Sequence, residues 1–241
     1  MFTGMQKDIK RLMAEINKNF GQNAVRPAKE LEETKRYRIP TGSISLDIDL
    51  GGGLPVGVLT QISGGLSACK SALAYNIIAN FQKWKKKKIL WDKYSTKEKP
   101  VYRWVIVPPD DPEGVPLQCA LIQSESESYT NKWAESIGVD TENLLIVYPE
   151  GMEEGLDIAS ALQLSGEVDL IVHDSYAAYK PIKILNKQHE DTVQMGIKPQ
   201  LFDEYHGKFQ AFNNKALREG RIPTSVVAIN QLREKIGAYG D

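Results

Sequence analysis

Cysteine is nearly absent from this chain of 241 residues. Two thiols, Cys69 and Cys119, supply neither a disulfide framework nor a ligand cluster, so the expectation is a fold without staples or a structural zinc, in a reducing cytoplasm. No apolar run approaches the roughly 18 residues of a membrane span, and the start MFTGMQKDIK lacks the apolar stretch of a secretory signal, so no membrane partner is expected. Charge of one sign is missing too. With 30 Lys+Arg against 31 Asp+Glu the formal net charge is -1, and any nucleic-acid partner has to be argued from a local patch. What the chain does have is 41% hydrophobic residues, enough at this length for one sizeable core with an appendage.

Met5, Ile9, Leu12, Ile16 and Phe20 recur at helical spacing, and Gly21 supplies a stop signal. The polar stretch QNAVRPAKELEETKR then reads as a linker, so residues 1–36 are expected to form a helix whose apolar stripe needs another surface to cover it. From residue 37 to 241 the continuous apolar runs LTQIS, CALIQS, LLIVY, DLIVHD and SVVAIN alternate with helical patterns. Runs without polar alternation fit strands buried on both faces, which predicts an α/β core with a mainly parallel central sheet flanked by helices. Residues 83–118 break the rhythm. Nine Lys/Arg and two acids fall between positions 83 and 103, interleaved with Trp84, Trp91, Tyr94 and Tyr102, and the acidic VPPDDPEGVP follows. This length is too great for a crossover loop and predicts an inserted hairpin or lid outside the core. It is either a DNA-contacting surface or a solvated lid whose aromatics pack inward.

After LTQIS comes Gly64-Gly65-Leu66-Ser67-Ala68-Cys69-Lys70-Ser71, opening a helical run. It matches the G-x-x-x-x-G-K-[ST] phosphate loop except that Cys69 replaces the second glycine. In such a loop the amides and helix N-terminus surround phosphates, the lysine reaches β/γ oxygens and the hydroxyl binds Mg²⁺. A Cβ at Cys69 is expected to weaken nucleotide binding about tenfold to a hundredfold through backbone strain. The competing reading is a glycine-rich turn with a surface lysine. Asp174 closes DLIVHD, where a carboxylate reaches Mg²⁺ through water or caps a helix. Glu125, in competition with Glu127, follows CALIQS, where a carboxylate activates water for attack on a γ-phosphate or belongs to a solvated acidic loop.

These residues, with PTGSISLDIDLGGGLPVGVLTQISGG, IGVDTENLLIVYPE, SGEVDLIVHDSYAAYKP and INQLREKIG in order, resemble a RecA-family recombinase over about residues 5–240, the insertion excepted. The resemblance implies an ATPase core at residues 37–241 and a leading helix, matched by EINKNFGQNAV, that docks on the neighbouring protomer of a helical filament. It implies that Lys70 and Ser71 act on phosphate and Mg²⁺, that Asp174 is the second-strand acid and that Glu125 activates water. Gln123 stands where the family usually has an acid. Trp133 matches the ring that stacks on adenine, or packs as a helix-face tryptophan. Gln231 matches the sensor of the γ-phosphate. A first DNA loop falls in residues 187–200 with Met195, Gly196 and Lys198, and a second begins after Gln231 with Arg233 and Lys235. The implied cofactors are ATP and Mg²⁺, and the implied partners are single-stranded DNA and further copies of the chain. The chain stops within that second loop, as a fragment or as a reduced paralogue. The function expected is DNA-dependent ATP hydrolysis in homologous recombination and repair; the alternatives are an impaired accessory protein that binds nucleotide or DNA, or a loader for another DNA transaction.

Overall fold

The structure is a computed structural model and describes residues 7–20, 25, 27, 36–91, 95, 99–125, 129–185 and 196–231. The chain separates into two compact units, residues 1–36 and 37–241. In the first, helix α1 (Lys7–Phe20) carries Asp8 in its first turn and Lys18 in its last, both signs complementing the helix dipole. The Asn17 amide donates to the Val25 carbonyl at 2.9 Å and accepts from its N–H at 2.8 Å.

The second unit opens with β1 (Arg38–Ile39), α2 (Ile44–Asp49) and β2 (Leu54–Pro55), the two strands pairing antiparallel. Asp47 holds this corner by accepting from the Thr41 N–H and hydroxyl, each at 2.7 Å. There follow β3 (Leu59–Gly64), α3 (Lys70–Lys83), β4 (Lys85–Leu90), β5 (Tyr102–Val107), β6 (Val115–Pro116) and β7 (Cys119–Gln123). The remainder is α4 (Asn131–Ile137), β8 (Leu144–Val147), α5 (Met152–Ser165), β9 (Leu170–Asp174), α6 (Ile182–Leu185), α7 (Ile197–Arg218) and β10 (Ser225–Gln231).

Strands in the order β3-β10-β9-β7-β8 form one parallel sheet, as the unalternating apolar runs predict. Alternate residues serve opposite layers. Leu170 and Val172 join the core that contains Ile77, Ile78 and Phe81 of α3, whereas Ile171 joins the core that contains Leu156 of α5 and Phe209 of α7. Parallel register brings all carboxyl ends to one edge, with Gln123 opposite Asp174 and Gln231 opposite Gly64. That edge is where an open α/β sheet binds ligands.

The inserted segment forms its own antiparallel sheet, β5-β4-β6. The expectation that it lies outside the core needs correction, because Ile106 and Leu117 are buried in the α3-side core. Of the two expected forms, the hairpin is present, β4 pairing antiparallel with β5. Lys86 Nζ sits 2.9 Å from both carboxylate oxygens of Asp169, and the Trp104 N–H donates to the Gly220 carbonyl at 2.7 Å. Both anchors precede strands, so the insertion sits at the amino ends of the central sheet, roughly 13 Å along β9 from Asp174 at about 3.3 Å per residue. The lysines are largely committed within the chain. Lys85 donates to the Asp111 carbonyl at 2.8 Å, Lys87 to the Asp111 carboxylate at 2.7 Å, and Lys86 and Lys88 lie 5.7 and 5.3 Å from the Trp104 ring centre. Strand alternation turns Lys86 inward against a carboxylate.

Candidate functional site

Between β3 and α3 the chain turns through Gly65, Leu66, Ser67, Ala68 and Cys69. Two non-glycine residues of this loop are left-handed, Ser67 at φ 57° and Cys69 at φ 54°. Such turns gather successive amides into a concavity suited to anions, and α3 adds unsatisfied N–H groups at its start, since Cys69 caps it without a side-chain bond. The Lys70 ammonium donates to the Gly65 carbonyl at 2.6 Å, folding over the loop it follows.

Ser71, second residue of α3, hydrogen-bonds the Asp174 carboxylate at the end of β9. Burial pushes the Asp174 carboxyl up, and the Glu125 charge adds to this; the Ser71 hydrogen bond and the Lys70 charge oppose it. A hydroxyl beside one buried carboxylate suits Mg²⁺, a cation that keeps water and takes its remaining ligands from phosphate. The residues present fit that ion.

Glu125 leaves β7 toward the same edge. Its Oε1 accepts from the Ser175 hydroxyl at 3.0 Å and from the Gln231 side-chain amide at 3.1 Å. The predicted acid and the predicted sensor, 106 residues apart, are therefore in direct contact. Two hydroxyls that the sequence reading did not assign to this site hold them there. Ser124 Oγ donates to the Ser175 carbonyl at 2.7 Å and accepts from the Ser175 N–H at 2.8 Å, and the Ser124 N–H donates to the Asp174 carbonyl at 2.9 Å. Each adjoins an acid in the sequence, Ser124-Glu125 and Asp174-Ser175, which is the one local signal that could have found them. The Asp174–Ser175 peptide is cis.

Gln123, buried beneath this edge, hydrogen-bonds the Tyr75 hydroxyl, whose proton burial makes harder to remove. Trp133 on α4 packs against Tyr75, ring centres 4.7 Å apart at 52°, yet remains 38% exposed. One side of the indole is thus held by the core while another is open.

Of the expected DNA-contacting residues, Gly196 is described and caps α7 at φ 97°. Lys198 donates to the carbonyls of Ala177 at 2.9 Å and Tyr179 at 3.1 Å. Met195, Arg233 and Lys235 lie outside the described residues, as does Glu127.

A family described as RecA N-terminal domain matches residues 7–101 and 113–241. The unmatched residues carry β5 and the turn beyond it. Protein RecA of Aquifex aeolicus is 34% identical over 233 residues, spanning 96% of this chain and 56% of its own length. Protein RecA of Fusobacterium nucleatum is 34% identical over 239 residues, spanning 98% and 53%, and that of Nautilia profundicola is 33% identical over 241 residues, spanning 100% and 58%. The chain spans about half the length of the curated relatives it matches.

Proposed function

The chain belongs to the RecA N-terminal domain family, and from that membership we propose that it is an ATP-dependent recombinase subunit. In this reading it binds single-stranded DNA as a helical filament in the cytoplasm and serves homologous recombination and repair. The observation that carries the reading is the Glu125–Gln231 hydrogen bond beside Lys70, Ser71 and Asp174. It gives one edge a phosphate cradle, a cation site, a water-activating carboxylate and a switchable amide.

ATP supplies the transferable phosphoryl group and Mg²⁺ the counter-charge. Lys70 exchanges its Gly65 carbonyl for β/γ oxygens, and the helix N-terminus receives the remaining charge. Ser71 and Asp174 would hold the cation, which would supply counter-charge to the phosphates. Glu125, oriented by Ser175, accepts a proton from the attacking water. Gln231 has two competing acceptors, the Glu125 carboxylate and a γ-phosphoryl oxygen. Exchange between them shifts the end of β10, from which the second DNA loop departs, and so ties DNA affinity to nucleotide state. Trp133 offers its open side to the base.

ATP turnover with and without single-stranded DNA tests this. The wild type is expected to turn over faster with DNA. Glu125→Gln is expected to keep nucleotide binding and lose about a hundredfold or more in turnover. Gln231→Ala is expected to lose DNA stimulation. A wild type that binds no ATP and no single-stranded DNA overturns the proposal.

A further inference from the structure

His173 immediately precedes Asp174 on β9 and is completely buried on the sheet face that packs against α5 and α7. Its Nδ1 lies 2.9 Å from the Tyr179 hydroxyl and its Nε2 3.2 Å from the Tyr205 hydroxyl. A neutral imidazole has one N–H and one lone pair, so it donates to one tyrosine and accepts from the other. Burial keeps it neutral, pushing its pKa down to about 3.

Each tyrosine belongs to a segment that matters for the proposed DNA response. Tyr179 lies in the chain leaving Asp174. Gly155 of α5 makes room for it there, since any Cβ at Gly155 sits 2.7 Å from the Tyr179 hydroxyl. Tyr205 lies on α7, two turns beyond Lys198. Lys198 in turn donates to the Ala177 and Tyr179 carbonyls. The first turns of α7, capped by Gly196, are thus joined to the strand bearing Asp174 through the His173 imidazole, and to the chain leaving that strand through Lys198. Phe202 fills the space between, its ring centre 4.3 Å from that of Tyr176. An aliphatic side chain at position 173 would pack the sheet without the desolvation that a buried imidazole costs, so volume alone does not explain the histidine.

We infer that His173 is a positioning residue for nucleotide-dependent DNA binding, holding the start of α7 and Gly196 in register with the Asp174 end of β9 through Tyr179 and Tyr205. This rests on the ATP- and DNA-binding reading above. What Asp174 holds then biases how Gly196 and the first turn of α7 meet DNA, a coupling free energy carried by two directional hydrogen bonds.

The test measures the affinity of the full chain for a fluorescent oligo-dT strand, with and without a non-hydrolysable ATP analogue, and nucleotide affinity without DNA. The proteins compared are wild type, His173→Phe, His173→Gln and Tyr205→Phe. The ratio of the two DNA affinities is expected to fall by about fivefold or more in His173→Phe and Tyr205→Phe, with nucleotide affinity unchanged, and to recover in His173→Gln, which keeps a donor and an acceptor. Tyr205→Phe removes a single hydroxyl and carries the test should His173→Phe fail to fold. A ratio unchanged from wild type in Tyr205→Phe overturns the inference alone. A ratio that falls only in step with nucleotide affinity and thermal stability also overturns it, because that is what a merely structural residue does. A wild type whose DNA affinity ignores nucleotide overturns the underlying functional reading, and the inference with it.

Discussion

Cys69 adopts φ 54° and ψ 24° immediately before the phosphate-loop lysine. For an L-residue this left-handed geometry costs about 1–2 kcal/mol, whereas glycine takes it freely. The expectation of strain drawn from the sequence is therefore met by the backbone, but the cost falls chiefly on folding, since the loop already has this shape. Cys69→Gly is expected to raise folding stability by about 1 kcal/mol or less, because the added freedom of glycine in the unfolded chain offsets part of the relief. Cys69→Ala keeps the Cβ and gains nothing. Urea unfolding of the three proteins checks this. Nucleotide affinity gains less than about tenfold, the share left to crowding by the side chain. Lys70, Ser71, Asp174, Glu125 and Gln231 were all legible as residues of this site. Ser175 as the partner of Glu125 was not, since that contact joins positions 50 apart and exists only through the β7–β9 register.

At the scale of elements, the basic insertion is where local reading and structure part. Four consecutive lysines look like a solvated face, but in a strand they alternate, and Lys86 is drawn to a carboxylate at the mouth of β9. Asp169 is buried, which pushes its carboxyl up, and Lys86 opposes that. It also accepts the Gln118 N–H at 2.8 Å. Removing one member of a buried pair costs about 3–5 kcal/mol, because the other is left uncompensated. Lys86→Met is therefore expected to lower stability by about that much, and adding Asp169→Leu to recover only part of it, since the Gln118 amide then loses its acceptor. Thermal unfolding of the two variants checks this. The sheet itself was legible in number, order along the chain and direction, because its central strands β7, β9 and β10 are apolar runs buried on both faces.

For the whole core, the buried titratable groups set a pH window. His173 and His206 are both pushed down, chiefly by burial, so the unfolded chain binds their protons first. Each contributes stability that is complete above the ordinary value near 6.5 and is lost as pH falls toward the folded value, about 3 for His173. Asp169 and Asp174 are pushed up by burial and act in the opposite sense, contributing below the usual carboxylate range and losing that contribution as pH rises through their folded values. Between pH 7 and pH 5 the His173 term is expected to cost the wild type about 2 kcal/mol of stability, and His173→Gln to remove that slope. Urea midpoints at the two pH values measure it; an equal slope in both proteins rules the assignment out.

The sequence by itself determined the buried central strands, the phosphate-loop pattern with cysteine in place of its second glycine, and the family. Those features are local: a covered strand needs apolar residues throughout, and a phosphate loop needs its lysine and hydroxyl at fixed spacing from a helix start. Only the tertiary structure decided that the insertion stands at the amino ends of the strands, that Lys86 pairs with Asp169, and that His173 reaches α7. A charged or polar side chain takes its partner from whatever the register brings within about 3 Å, and residues such as Lys86 and Asp169, 83 apart in the chain, carry no mark of that meeting in their neighbours.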